Sequence, residues 1–343
     1  MSVGLVYDPI YLEHDTGQHI ENVSRLTEIM KLLEETDLRS KLVSISPRAA
    51  TVEELAAVHA PGYIAYMERF AQEGGRWLDS DTFLAPASYE VARYAAGGVI
   101  KAVDGVMQGE VESAFALVRP PGHHATRWEA MGFCLFNNIA VAAKYAQANH
   151  RLERILIVDF DVHHGNGTQD AFYEDPGVLY FSTHQHPFFP GSGGISEIGV
   201  GPGEGYTVNV PLPGWCGDSV FLRVFEEILE PVARRFSPQL VLVSAGYDAH
   251  WQDPIGGMQL SVTGFARMVG ILKRLAGELC QGRIVLTLEG GYDLSALAAS
   301  VRATFDVLLG NRTVDLLGQP PHSETPRNSE NIIESVKKLH KLG

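Results

Sequence analysis

Apolar positions along this chain follow two rhythms. Seven short segments, residues 3–7, 114–118, 155–160, 178–182, 206–210, 240–244 and 284–288, are rich in β-formers. Two of them, 155–160 and 240–244, are almost continuously apolar rather than alternating. Such runs predict strands buried on both faces of a parallel sheet. Between them, apolar residues recur with helical spacing over about 22–35, 61–72, 86–107, 138–148, 219–236, 263–280 and 294–309. Strands alternating with helices predict a doubly wound α/β fold. The stretch 184–205 breaks the pattern: it is Gly-rich, carries Pro187, Pro190 and Pro202, and has little periodicity. A long loop of this kind inside a domain is usually functional or mobile. After Gly310 the chain is polar to about 331, then reads as a short terminal helix, so 311–343 forms a tail.

The chain has 343 residues and is 45% hydrophobic, enough for a large core, and its length alone would allow two domains. The chemically loaded residues run from 123 to 292, so one domain over 1–343 is the simpler organisation. Lys and Arg number 27 against 41 Asp and Glu, a formal net charge of −14. That balance repels nucleic acid and anionic membranes, and can attract cationic substrates such as basic peptides or polyamines. Three cysteines, Cys134, Cys216 and Cys280, form no C-x-x-C pair. An odd count argues against a disulfide framework and fits a reducing compartment. The N-terminus lacks a basic n-region and reaches Asp8 quickly, unlike a signal peptide. No apolar run is long enough to span a bilayer. A cytoplasmic protein is therefore expected, with oligomerisation left open.

Four motifs follow strand-like runs: Arg119-Pro120-Pro121-Gly122-His123-His124, Asp159-Phe160-Asp161-Val162-His163-His164-Gly165, Gly246-Tyr247-Asp248 and Glu289-Gly290-Gly291-Tyr292. In open α/β sheets, ligands bind at the carboxyl ends of strands. Asp159, Asp161 and His163 are spaced by two, so in an extended segment they share a face. Two carboxylates at a buried strand end repel, and burying them unpaired is costly. Cations resolve the conflict. Asp161 and His163 can hold a divalent metal, with Asp248 as third ligand. Three protein ligands with an open position describe a catalytic zinc site. The oxygen-rich donor set leaves Fe²⁺, Co²⁺ and Mn²⁺ open as well.

His123 and His124 sit in a stiff Pro-Pro-Gly loop and can both edge one pocket. An imidazole that exchanges protons near neutrality suits a general base and acid. Each ring needs a partner to fix its tautomer. Asp159 can serve one, and Asn166 the other. Tyr292 follows two glycines that let the backbone aim its phenol at the pocket, where it can stabilise a developing oxyanion.

These residues make the chain resemble the zinc-dependent histone deacetylase family, with its acetylpolyamine amidohydrolase and acetoin-utilisation-type relatives. The motifs are R-P-P-G-H-H, M-G-F-C-L-F-N-N at 131–138, D-V-H-H-G-N-G-T-Q-D at 161–170 and V-S-A-G-Y-D-A-H at 243–250. The last, with D-P-I-G-G-M at 253–258, leans toward the class II branch. The resemblance implies an arginase–deacetylase fold, a single open sheet of about eight mainly parallel strands with helices on both faces. It implies zinc on Asp161, His163 and Asp248, His124 as general base and acid, and His123 as its electrostatic partner. It implies Tyr292 beside the substrate carbonyl. It also implies a structural K⁺ at Asp159, Asp161, His163, Ser182 and Thr183, and a second monovalent site around Phe172, Asp175 and Val178. Matching positions suggest a narrow tunnel, with Phe133 and Phe189 flanking an alkyl chain, Gly132 beside them and Ile255 at the rim. A rim Asp is expected at Asp81 or its neighbour Asp79.

The expected substrates are acylated lysines in proteins or peptides; the alternative is small acetylated amines, as for an acetylpolyamine deacetylase. Three departures bear on this. Asn166 stands where the class I pattern has Asp. Ile255 stands where the polyamine-selective branch carries an acid. His19-Ile20-Glu21-Asn22-Val23-Ser24-Arg25-Leu26 replaces the common H-P-E-x-P-x-R-L, although Arg25 remains and could line an inner cavity for acetate. A binuclear ureohydrolase of the same fold would need extra carboxylates that D-V-H-H-G and S-A-G-Y-D lack.

Overall fold

A computed structural model describes residues 2–322, 324 and 328–342. Of the expected tail, residues 323, 325–327 and 343 lie outside the described residues. The strands are β1 (Val3–Val6), β2 (Val43–Ile45), β3 (Arg76–Trp77), β4 (Phe83–Leu84), β5 (Ser113–Ala116), β6 (Ile155–Asp159), β7 (Val178–Gln185), β8 (Thr207–Leu212), β9 (Leu240–Ala245) and β10 (Ile284–Leu288). Eight of them form one sheet in the order β2-β1-β5-β10-β9-β6-β7-β8, and every neighbouring pair is parallel. β3 and β4 form a separate antiparallel pair. Every residue of β5, β6, β9 and β10 is buried, as befits mostly apolar strands at the centre of a parallel sheet.

All seven expected strands are present, with ends shifted by no more than three residues. β2 was not expected. It has three residues, lies at the sheet edge and is exposed at two of them, so it leaves no apolar pattern. Helices Pro61–Gln72 and Leu294–Leu309 match the spacing to the residue. The segment 219–236 reads as one helix but is interrupted. A wide turn, Phe225–Leu229, separates Asp218–Val224 from Glu230–Phe236. Pro231 has no N–H to give to the carbonyl four residues back, which loosens that turn. The short helix Asn166–Phe172 escaped the periodicity because it begins on Asn and Gly, both weak helix formers. The terminal helix spans Ser329–Leu339. Among the described residues no helix is long and apolar enough to cross a membrane.

Candidate active site

The four motifs leave β5, β6, β9 and β10, and these are consecutive neighbours in the sheet, in the order β5-β10-β9-β6. Parallel pairing puts all their carboxyl ends on one edge. At about 4.8 Å between strands, the four span roughly 14 Å. Residues from 123 to 292 therefore converge without any strand having to bend.

Asp161, His163 and Asp248 meet with one ligand-type atom each, all within 4.8 Å of one another, and all three residues are buried. His163 Nδ1 lies 3.1 Å from Asp161 Oδ1 and 3.3 Å from Asp248 Oδ2. One ring nitrogen cannot satisfy both carboxylates. Asp248 Oδ2 is left buried with no hydrogen-bond partner. The backbone aims the other oxygens. Val162 N donates to Asp248 Oδ1 at 2.8 Å, Gly290 N to Asp161 Oδ2 at 2.8 Å, and His163 N to Asp161 Oδ1 at 2.9 Å. Glycine is needed for this approach: a methyl at Gly246 would collide with the Asp161 carboxylate, and one at Gly290 with that of Asp248.

The charges are unbalanced. Burial, aided by the Asp161 charge, pushes the Asp248 carboxyl up to about 7. Burial also works against charge on Asp161, but His123 and His163 outweigh it and hold that carboxyl well below the usual range. Burial opposes charge on His163 too, yet the two carboxylates lift it to about 9. Two carboxylates thus compete for one imidazolium. An orphaned buried oxygen beside two carboxylates and an imidazole is a donor set that fits a divalent cation.

The His pair flanks this cluster, with ring centroids 4.0 Å apart. His123 Nδ1 is 3.0 Å from Asp159 Oδ2, and His124 Nδ1 is 2.8 Å from Asn166 Oδ1. Burial disfavours charge on His123, but Asp159 and Asp161 outweigh it and raise its pKa to about 10. His124 goes the other way: burial, then the charges of His123 and His163, push it well below the ordinary imidazole range. The pair is therefore split into one charged and one neutral ring.

A cavity of about 230 Å³ opens onto both clusters. Phe133, Phe189, Gly132, Ile255, Asp81 and Tyr292 line it. Gly132 and Phe133 both take positive φ, +55° and +69°, a kink that a non-Gly residue at 132 would make worse by striking His124. Asp81, rather than Asp79, lines the cavity. Asp79 instead folds back to accept from the Asp81 and Thr82 amides at 2.9 and 2.6 Å. Phe189 stands edge-on to His124 at 5.1 Å.

The residues expected around potassium are placed as follows. Asp159 is fully buried and also meets the Tyr180 hydroxyl at 3.2 Å. Ser182 Oγ pairs with His184 Nδ1 at 2.9 Å, while Thr183 Oγ1 is buried without a partner. Phe172, Asp175 and Val178 share one turn through Asp175 N to Phe172 O and Val178 N to Asp175 O. There the Asp175 carboxylate already meets Lys144 Nζ at 2.7 Å. Arg25 is held by several partners. It donates to Gly291 O at 2.7 Å, to Glu289 O and to Glu21, and its guanidinium sits 5.0 Å over the Tyr292 ring.

A sequence profile described as the histone deacetylase domain matches residues 19–308. The chain belongs to the histone deacetylase family. It is similar to "Histone deacetylase 14, chloroplastic" of Arabidopsis thaliana, 42% identical over 351 residues, which covers 96% of this chain and 83% of that protein. It is also similar to a "Probable deacetylase" of Archaeoglobus fulgidus, 39% identical over 356 residues, with 99% and 98% covered. A crystal structure of the HDA15 HD domain superposes with a TM-score of 0.90 at 37% identity, covering 99% of this chain and 94% of that one. This member of the family is a deacetylase, a hydrolase on the arginase–deacetylase fold.

Three residues of this deacetylase site carried no role in the sequence reading. Phe188 stacks on His163, with centroids 5.2 Å apart and planes 16° from parallel. Glu289 is fully buried. Its Oε2 accepts from the Gly122 and His123 amides at 2.7 and 3.2 Å, which fixes the His loop to the β10 end. Asp253 Oδ2 accepts from Tyr292 N at 2.6 Å and Asp293 N at 3.1 Å, while its Oδ1 accepts from Ile255 N at 3.0 Å. One carboxylate thereby ties the Tyr292 backbone to the rim. A charged residue at the end of an unbroken apolar strand was the available signal for Glu289, and the Asp-Pro turn for Asp253.

Proposed function

We propose that this deacetylase is a zinc-dependent amidohydrolase that removes acetyl, or another short acyl group, from lysine side chains. The observation that carries the reading is the unsatisfied Asp161, His163 and Asp248 cluster, which opens onto a cavity with two aromatic walls. Facing aromatic rings suit the methylene stem of a lysine. A divalent cation held by Asp161, His163 and Asp248 would polarise the acyl carbonyl and acidify a neighbouring water.

The chain's own groups supply the proton chemistry. His124 is neutral at neutral pH, with its Nδ1–H donated to Asn166 Oδ1, so its Nε2 lone pair is available. That nitrogen takes the proton of the attacking water and later gives it to the departing amine nitrogen. The C–N bond breaks, and a carboxylic acid and an amine leave; the acid's proton passes to the amine, so the products are a carboxylate and an ammonium. His123, kept charged by Asp159, adds positive charge beside the new oxyanion. The Tyr292 hydroxyl donates a hydrogen bond to the same oxygen. Burial and the nearby carboxylates push the Tyr292 phenol well above its ordinary pKa, so it stays a donor. Asp253 and Glu289 hold Tyr292 and the His loop in register. Potassium at Asp159, Asp161, His163, Ser182 and Thr183 would offset the remaining carboxylate charge, and a second monovalent ion belongs near Phe172, Asp175 and Val178.

The whole chain, 1–343, acts as one deacetylase domain. Its three cysteines are free and buried, which suits the reducing cytoplasm. Acetylpolyamines are the second reading, favoured by the net charge of −14 and by Asp81 beside the cavity. Ile255 at the rim, where an acid would grip a polyamine, speaks for lysine. The deciding experiment combines zinc analysis with a kcat/KM panel of acetyl-lysine peptides, longer acyl-lysines, acetylspermidine and acetylputrescine. Acetyl- or short acyl-lysine peptides should lead the panel. A polyamine at the top would replace the substrate reading, and bound zinc without turnover of any member would make the chain an acyl-lysine reader.

A further inference from the structure

Tryptophan is seldom left in water, yet three of the four in this chain are half exposed or more: Trp77 at 51%, Trp128 at 66% and Trp215 at 50%. All three lie at a strand end or in the loop that follows a strand. Trp77 ends β3, before the turn to β4 that carries Asp81, Trp128 lies in the loop that follows β5, and Trp215 in the loop that follows β8. Large aromatics exposed together are a mark of interaction surfaces.

Trp128 also lines a second cavity of about 400 Å³, with Tyr66, Leu78, Asp79, Glu129 and Met131. This groove abuts the acyl cavity along two stretches of backbone. Met131 lines the groove and Gly132 the acyl cavity; Asp79 lines the groove and Asp81 the acyl cavity. Consecutive Cα atoms are about 3.8 Å apart, so only one or two residues of wall separate the two openings. A polypeptide whose acyl-lysine enters the tunnel covers about 3.3–3.6 Å per extended residue. Its side chains two to four positions away would then reach the groove.

The lining is acidic. Asp79 and Glu129 are exposed carboxylates, and Asp81 stands across the wall. Trp128 and Tyr66 offer ring faces, and aromatic faces attract cations. The Trp128 ring already holds one guanidinium, that of Arg127 with Cζ 5.5 Å from its centroid, and remains mostly exposed.

We infer that the groove of Trp128, Tyr66 and Glu129 is a subsite for a Lys or Arg side chain flanking the acyl-lysine of a polypeptide substrate. The inference rests on the lysine-deacylase reading above and adds to it. It makes this enzyme a reader of basic sequence context, which a free acetyl-lysine could not exploit.

The test uses the zinc-loaded enzyme, matched acetyl-lysine peptides with Arg, Ala or Glu three residues to either side, and a blocked acetyl-lysine amide without flanks. On one side, the Arg peptide should exceed the Ala peptide in kcat/KM by about five- to tenfold at low salt, with Glu lowest, and the advantage should shrink as salt rises. Trp128→Ala and Glu129→Gln should each reduce that advantage to about twofold or less while leaving the blocked amide unchanged. Equal rates for Arg and Ala flanks in the wild type would overturn the subsite. So would an Arg preference that survives in both variants. Failure to turn over even the blocked amide would instead strike the deacylase reading itself.

Discussion

Two buried charged clusters lie side by side in this molecule, joined by Arg25, and they are finished to different degrees. In the first, the Glu21 carboxylate receives Arg119 Nε at 2.6 Å and an Arg119 terminal nitrogen at 2.8 Å, with Arg25 adding a third bond at 3.1 Å. The spare Arg119 N–H groups go to Tyr11 O and His14 O, both at 3.1 Å. Burial alone would raise the Glu21 pKa, but Arg119 above all holds it well below the usual carboxylate range. In the second cluster, Asp161 and Asp248 share one imidazole, and one carboxylate oxygen is left over. Both clusters are equally buried. The first has a donor for each acceptor, so it anchors the N-terminal segment and asks for nothing. The second has more acceptors than donors, and such a deficit is tolerable only where a cation makes it good.

That contrast can be broken most decisively at the deficient cluster. Asp161→Ala should abolish stoichiometric zinc and reduce turnover to background; metal analysis that still finds full zinc would show the ligands to be misassigned. Arg119→Ala strikes the complete cluster: it takes two of the three guanidinium bonds from the buried Glu21 carboxylate and strips Tyr11 O and His14 O of their donor. Unfolding in urea should show a loss of about 3–5 kcal/mol, and the surviving folded fraction should still bind zinc. A loss under about 1 kcal/mol would mean the network is not what anchors the segment.

Tyr292→Phe separates chemistry from construction. The kcat should fall about 10²–10³-fold with zinc content and thermal midpoint unchanged; a near-normal rate would remove Tyr292 from the reaction.

Acid should sharpen the comparison in a metal-free preparation. His14, buried beside Glu21, is lowered from 6.5 to about 4, mainly by burial and in spite of Glu21. Its folded pKa lies below the unfolded value, so the unfolded chain binds the extra proton between pH 6.5 and 4. Its contribution, about 3 kcal/mol, is present above that window and is lost as pH falls through it. Stability measured against pH should flatten over that window in His14→Gln, and an unchanged slope would count against the assignment. The smallest effect belongs to Asp253→Asn, which weakens the tie between Tyr292 and the rim. About a tenfold fall in kcat with little change in KM is expected, and a change in KM alone would place Asp253 in substrate binding instead.

Much of the architecture was legible early because it depends on local chemistry. Strand β10 and the helix Leu294–Leu309 were read at their observed ends, since a mostly apolar β-rich run and a helical period each have one economical fate. Asp161 and His163 were readable as a pair from their spacing, although β6 ends at Asp159 and it is a bend over 161–163, not an extended strand, that brings them together. The choice between Asp79 and Asp81 was not readable. It turned on which carboxylate folds back onto the amides of 81 and 82, and the two look alike in the sequence. Nor was Phe188: next to Phe189, nothing local says which ring stacks on His163.

The sequence by itself determined that four acid- and histidine-bearing motifs end buried strands, because hydrophobic continuity and side-chain alternation act over a few residues. Only the tertiary structure decided that those strands are neighbours, β5-β10-β9-β6, that Glu289 clamps the His loop, and that the cluster of Asp161, His163 and Asp248 is one donor short. The order of strands is set by how whole faces pack against helices. That is a property of the assembled core and is written in no single segment.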